Sequence, residues 1–343
     1  MERLLDYRGH IYGMIATTPS ERPVIGSIRQ SQGVVGMEDQ AMSGVKLPGD
    51  LVSVEWLKNH LENPAVRVVD IRGYVRTEDL GGGRQAASYT GAPDEYAAGH
   101  IPGAVFVDWT QDIVDPDSDV KAQIAPPARF KAAMEERGIG DQTAVVIADH
   151  ANGHLSARLW WALRYYGHDN VAILEGGYKA WEQAGFPLTS DISTVDAEVT
   201  FTPTVRAELR SEVDEVVEHM ESGTRQIVDA RDPATFSGAT QRGSRGGHIP
   251  GAINLPAKEL VDDEGRWRSA EDIRKLAKEA GLDPDKPVTA YCNGGVTAAQ
   301  LLFGLHRAGM ADLSNYDGSW NEWGEREDLP VEGNRDLFRS EAS

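Results

Sequence analysis

The chain is 343 residues long, with 34 Lys and Arg against 54 Asp and Glu and a formal charge of −20. At roughly 150 residues per domain this length allows two domains with sizeable cores, and 40% hydrophobic with 26% charged residues excludes wholesale disorder and collagen. The acidic balance repels phosphate backbones and anionic lipid, so nucleic acid and membrane surfaces are not expected partners. No apolar run reaches the roughly 18 residues of a membrane span, and the N-terminus lacks the continuous apolar core of a secretory signal. The single cysteine excludes an intramolecular disulfide and a four-cysteine zinc site. That usage fits a reducing cytoplasm.

Residues 1–47 show no clear period, and the expectation is a poorly ordered extension. Recognisable patterning begins only after Met42, which marks that residue as an alternative start. A first unit spans residues 48–187. Within it, Arg67-Val68-Val69 reads as a short buried strand ending at Asp70, and Ala144 to Ala148 as a central strand, apolar on both faces. Residues 188–206 have no helical period and read as a linker.

The second unit, residues 207–332, repeats the order. Gln226-Ile227-Val228 precedes Asp229. Ser269 with Asp272 predicts a helix N-terminus, with Ile273, Leu276 and Ala277 on one face and Gly281 as its stop. Val288 to Tyr291 reads as a central strand and Ala298 to His306 as a helix closed by Gly309. Residues 333–343 form a tail. The copies share words as well as rhythm. Val68-Val69-Asp70-Ile71-Arg72 returns as Ile227-Val228-Asp229-Ala230-Arg231, and Gly99-His100-Ile101-Pro102-Gly103-Ala104 as Gly247-His248-Ile249-Pro250-Gly251-Ala252. Two domain-sized copies of alternating strand and helix predict an α/β chain, each copy holding a mostly parallel sheet flanked by helices.

The lone cysteine lies in Cys292-Asn293-Gly294-Gly295-Val296-Thr297, between a predicted strand and a predicted helix. Most unpaired cysteines are small buried hydrophobes. This one falls at the carboxyl end of a central strand, where open α/β sheets bind ligands. Gly294 and Gly295 let the backbone curl its N–H groups inward, and the helix behind adds the positive end of its dipole. Such a setting lowers a thiol pKa and suits a nucleophile for anionic substrates. A cysteine phosphatase needs an Arg where Ala298 stands, and no local signature supports a protease base. Sulfur transfer through a persulfide needs only the thiolate and its N–H donors. His150 and His154 sit in the corresponding stretch of the first copy, where no thiol is present. They lack a third ligand, so no metal is expected.

These motifs resemble the tandem-domain sulfurtransferases of the rhodanese superfamily over about residues 50–332. The resemblance is carried by the Val-Asp-x-Arg and Gly-His-Ile-Pro-Gly-Ala repeats, the cysteine loop, Ala157 to Trp161, Gly176-Gly177-Tyr178 and Tyr316 to Trp323. It implies two rhodanese-like domains with the active site in the second, Cys292 as nucleophile, and Asn293 to Thr297 as the cradle of the persulfide. It also implies a proton-relay role for His100 if the donor is mercaptopyruvate, and a place for Asp229 beneath the loop. The family's substrate-gripping Arg is replaced by Thr235, which turns attention to Arg242 and Arg245 as substitutes. The expected donor is thiosulfate, with 3-mercaptopyruvate as the alternative. The acceptor is cyanide or a thiol, with a thioredoxin-like protein as one candidate, and no cofactor is implied. The rival from another class is an idle module for protein binding or redox sensing, which need not keep the cysteine and its glycines.

Overall fold

The computed structural model describes residues 44–150, 152–195 and 198–333. The expectations for residues 1–43 and 334–343 lie outside the described residues. The first half contains β1 (Leu51–Val52), α1 (Val54–His60), β2 (Val66–Asp70), β3 (Gly73–Gly81), β4 (Arg84–Gly91), α2 (Pro93–Ala98) and β5 (Val105–Phe106). It continues with α3 (Pro127–Glu136), β6 (Ala144–Ala148), α4 (His154–Tyr165), β7 (Val171–Leu174) and α5 (Gly177–Gln183). The second half contains β8 (Arg210–Ser211), α6 (Val213–Ser222), β9 (Gln226–Asp229), α7 (Pro233–Ser237), β10 (Gln241–Arg242) and β11 (Ile253–Asn254). It ends with α8 (Ala270–Glu279), β12 (Val288–Tyr291), α9 (Val296–Arg307), β13 (Leu313–Tyr316) and α10 (Ser319–Trp323).

Each half builds one five-stranded parallel sheet. The orders, β1-β7-β6-β2-β5 and β8-β13-β12-β9-β11, match strand for strand. Strands covered by helices on both faces should be apolar throughout, and Ala-Val-Val-Ile-Ala of β6 is buried at every position. The end signals act as their chemistry dictates. Ser269 Oγ accepts the Asp272 N–H at 3.1 Å to start α8, and Gly281, at φ +97°, follows its end. The helix expected from Ala298 begins two residues earlier, at Val296.

The two halves share a core. Helices α4 and α9 pack together across the molecule, with Trp160 edge-on to Phe303 at 4.9 Å and Trp267 tilted against the same ring at 4.6 Å. The connecting stretch carries neither helix nor strand among its described residues before Ala207. It is nevertheless tied to the first half by a backbone bridge between His100 and Thr189, by buried Phe201, and by the Thr204 N–H on the Tyr166 carbonyl.

One element has no counterpart in the other copy. Residues 73–98 separate the two shared motifs in the first half, and only 232–246 in the second. The additional chain forms the β3–β4 hairpin, the antiparallel pairing among the named strands. Strand β10 adds to the hairpin in parallel, pairing Gln241 with Arg84 and Arg242 with Gln85, so a first-half element is stitched to the second half.

Candidate active site

Cys292 follows directly on β12, the middle strand of the second sheet, and is 3% exposed. Cys292 thus lies in the packed interior at the centre of the sheet. The loop is pinned from one side by the turn into α10. Ser319 Oγ accepts the N–H groups of Cys292 and Gly295, each at 3.1 Å, and donates to the Tyr316 carbonyl at 2.7 Å. The Trp320 N–H reaches the Cys292 carbonyl at 3.0 Å, and the Asn321 N–H the Asn293 carbonyl at 2.8 Å.

With Cys292 and Gly295 so engaged, the N–H groups of Asn293, Gly294, Val296, Thr297 and Ala298 have no acceptor among the described residues. They lie in one short curl leading into the first turn of a twelve-residue helix. That is an anion nest placed at the positive end of a helix dipole. The positive φ falls on Gly295 alone, at +73°; Gly294 does not share it, contrary to expectation. A Cβ at Gly295 would stand 2.7 Å from Asp317 Oδ1 and 2.9 Å from Arg158 Nη1.

The first half helps to hold the loop. Arg158, on α4, pairs with fully buried Asp317 at 2.5 Å and donates to the Ala122 carbonyl at 2.8 Å. The other Asp317 oxygen accepts the Ile124 N–H. In the first copy the loop is closed by its own side chain. Strand register pairs Asp70 with Ala148 and Asp229 with Tyr291, so Asp149 occupies the place of Cys292. Its carboxylate accepts the Ser156 N–H at 3.0 Å in the first turn of α4.

A cleft of about 570 Å³ opens beside Asn293, bounded by the β3–β4 hairpin, the loop carrying Lys121, and β10. Arg84, Lys121 and Arg242 line it, and none of the three has an ion-pair partner among the described residues, although Asp119 and Glu325 lie in the same lining. Glu325 is engaged by Ser244. Three cations against two carboxylates give this lining a positive balance within an otherwise strongly acidic chain.

Several expected site residues lie elsewhere. Arg245 is corrected: its guanidinium donates to the carbonyls of Gly324, Leu329, Trp323 and Arg326, so it clamps the C-terminal turn and has no arm for a substrate. Asp229 is paired in register with Tyr291, the residue before Cys292, but it is fully buried with both oxygens accepting from Arg231 and does not line the cleft. Burial would lower the Arg231 pKa, but the Asp229 carboxylate outweighs it and the guanidinium stays firmly charged. Asp70 and Arg72 repeat the pair in the first copy. His100 is corrected as a proton relay: it is fully buried, stacked on Tyr96, with its ring nitrogens at the carbonyls of Tyr96 and Asp191. His248 is likewise held, against Phe236. Arg242 remains at the site, with its Nε 3.2 Å from Gln85 Oε1. Sequence reasoning missed Ser319, Arg158 and the hairpin. The Tyr316–Trp323 motif held Ser319 and Asp317 in view, and the unequal spacing of the repeated motifs pointed to the hairpin.

A rhodanese-like domain family matches residues 53–184 and 212–326. Thiosulfate/3-mercaptopyruvate sulfurtransferase 1, mitochondrial, of Arabidopsis thaliana is 31% identical over 89% of this chain and 84% of its own. Sulfur carrier protein TtuD of Thermus thermophilus is 33% identical over 84% of this chain and 98% of its own. The crystal structure of the 3-mercaptopyruvate sulfotransferase SseA from Escherichia coli superposes with a TM-score of 0.70 at 32% identity, covering 79% of this chain and 98% of that one. Twin parallel sheets with a glycine loop at the end of the second central strand define a two-domain α/β enzyme scaffold. The chain belongs to the rhodanese family, with one rhodanese-like domain in each half.

Among the described residues no group of three or more His, Cys, Asp or Glu could hold a metal ion, and no helix is long and apolar enough to cross a membrane.

Proposed function

We propose that the protein is a sulfurtransferase that carries a sulfane sulfur as a persulfide on Cys292. The Cys292 thiolate attacks the sulfane sulfur of thiosulfate. A sulfur–sulfur bond to Cys292 forms, the bond to the oxidised sulfur breaks, and the electron pair leaves with sulfite. Cyanide or a thiolate then attacks the outer sulfur, and Cys292 departs as thiolate. The observation that carries this reading is the set of five unpartnered N–H groups following Cys292, which favours an anion on and next to its sulfur. The cations Arg84, Lys121 and Arg242 support a small anionic donor, and a doubly charged thiosulfate gains most from them.

The second reading is 3-mercaptopyruvate as donor with release of pyruvate. It is favoured by the names of the Arabidopsis relative and of the Escherichia coli structure. Both donors use the same persulfide, and the chemistry closes on sulfur without a further cofactor. The name of the Thermus relative supports a protein acceptor, for which a thioredoxin-like thiol is our candidate. A reducing compartment such as the cytoplasm suits an enzyme resting as a free thiol.

Steady-state kinetics with each donor and one common acceptor test the reading. Parallel double-reciprocal lines with thiosulfate, and loss of transfer in Cys292→Ser, are expected. Transfer that survives in the serine variant overturns it.

A further inference from the structure

We propose that Tyr89, on the hairpin that only the first half carries, is a working residue of the Cys292 site: its hydroxyl donates a hydrogen bond to the anionic sulfur donor while Arg84 of the same strand holds the donor's charge. The inference rests on the sulfurtransferase reading above and deepens it. The first half then supplies substrate contacts to a reaction whose nucleophile lies in the second.

Side chains of β4 alternate between a half-buried and an exposed face. Gln85, Ala87, Tyr89 and Gly91 are its half-buried positions, and the first three line the cleft beside Asn293, which exposed Arg84 also borders. The Tyr89 ring is set against Trp109, with centroids 5.4 Å apart, and the Trp109 indole N–H donates to the Thr90 carbonyl at 3.2 Å. The ring is therefore braced at the base of the hairpin. The Asn321 side chain donates to the Lys121 carbonyl at 3.3 Å, and the Asn321 N–H caps the Asn293 carbonyl at 2.8 Å. One asparagine thus ties the cysteine loop to the Lys121 loop, in the same cleft lining as Tyr89. The Tyr89 O–H has no acceptor among the described residues and is left to serve a ligand. Burial, and the negative charge of Cys292 nearby, raise the phenol pKa. The hydroxyl stays protonated at neutral pH and is a donor rather than a base.

The chemistry asks for such a donor. When the bond between the two sulfurs of thiosulfate breaks, the electron pair departs on sulfite. A preorganised O–H aimed at that group stabilises it without transferring a proton. Arg84 pairs through its backbone with Gln241 and lines the cleft together with Arg242, so the charge of the donor is held across the seam between hairpin and β10. No other copy of the repeat offers these residues, because the second half has no such hairpin.

The test uses the full chain and whichever of thiosulfate and 3-mercaptopyruvate the wild type turns over faster, with cyanide as acceptor. Tyr89→Phe keeps the ring packing and removes only the hydroxyl. It should lower kcat/KM for the donor roughly ten- to hundredfold, the worth of one hydrogen bond to a charged group, with an unchanged melting curve. Arg84→Ala, at an exposed position, should raise the donor KM with kcat little altered, and Arg84→Lys should recover part of the loss. Constants within twofold of wild type in both Tyr89→Phe and Arg84→Ala would overturn the proposal. Persulfide formation on Cys292 is read in the same samples. If it occurs while the hairpin variants behave as wild type, only the role of Tyr89 and Arg84 falls. If it does not occur, the sulfurtransferase reading itself fails.

Discussion

Ser319 shows how much of the site depends on one hydroxyl. It sits at φ +51°, a conformation that costs a non-glycine residue roughly 1–2 kcal/mol. In return its oxygen holds the N–H groups of Cys292 and Gly295 and fixes the curl of the loop. Ser319→Ala leaves both donors buried without an acceptor, which should cost about 1–3 kcal/mol. The loop should loosen and sulfur transfer should fall. Calorimetry and steady-state kinetics measure the two effects separately. Gly295 is as tightly constrained. A side chain there meets Asp317 and Arg158 inside 3 Å at a left-handed φ. Gly295→Val puts a branched side chain into that contact. The variant should lose activity and also melt earlier, because it pushes on the buried ion pair between the halves. A melting temperature equal to wild type would show that the pair gives way freely.

At the scale of elements, that ion pair joins α4 of the first half to the β13–α10 turn of the second. Arg158 and Asp317 are about 1% and 0% exposed at their side chains. Breaking a buried pair strands a charge and typically costs roughly 3–5 kcal/mol. Asp317→Asn should therefore destabilise by that order, whereas changing an exposed pair such as Lys275 with Glu279 should do little; chemical denaturation compares them. The turn between α4 and β7 carries a pH effect. Burial lowers the His168 pKa and outweighs the opposing pull of the nearby Thr143 and Asn170 backbone and of the Asp141 and Asp169 charges. Below about pH 6.5 the unfolded chain binds a proton that the native imidazole does not. This contribution to stability is thus complete above pH 6.5 and lost as pH falls below it. His168→Gln should flatten the acid side of the stability curve, as urea titrations at several pH values would reveal. The central strands were legible because burial on both faces leaves continuous apolar runs such as β6. The hairpin was not, since β3 is exposed beyond its first two residues and β4 alternates between small and polar residues with only partial burial. Ser319 and Asp317 were visible as letters of a motif, but their roles depend on contacts with residues far away in sequence. For the same reason Arg242 and Arg245 looked equivalent until the fold turned one to the cleft and the other to four carbonyls.

For the whole molecule, duplication has produced a division of labour. One copy keeps the thiol; the other places a carboxylate, Asp149, where the thiol would be and turns its excess chain into a wall of the partner's cleft. Because one hydrophobic cluster runs through both halves, residues 44–333 should unfold in a single cooperative transition. Two resolved calorimetric peaks would show that the halves are energetically separate. The acidic surface repels anions in general, so an anionic donor is expected to favour the cleft lined by Arg84, Lys121 and Arg242. Transfer through Cys292 requires sulfur to rest covalently on that residue, which intact-protein mass spectrometry after brief incubation with donor detects. The wild type should gain the mass of one sulfur atom, lose it again on addition of cyanide, and show no gain when Cys292 is changed to Ser. An unmodified wild-type mass under conditions of active turnover, or an equal gain on the serine variant, would contradict the account.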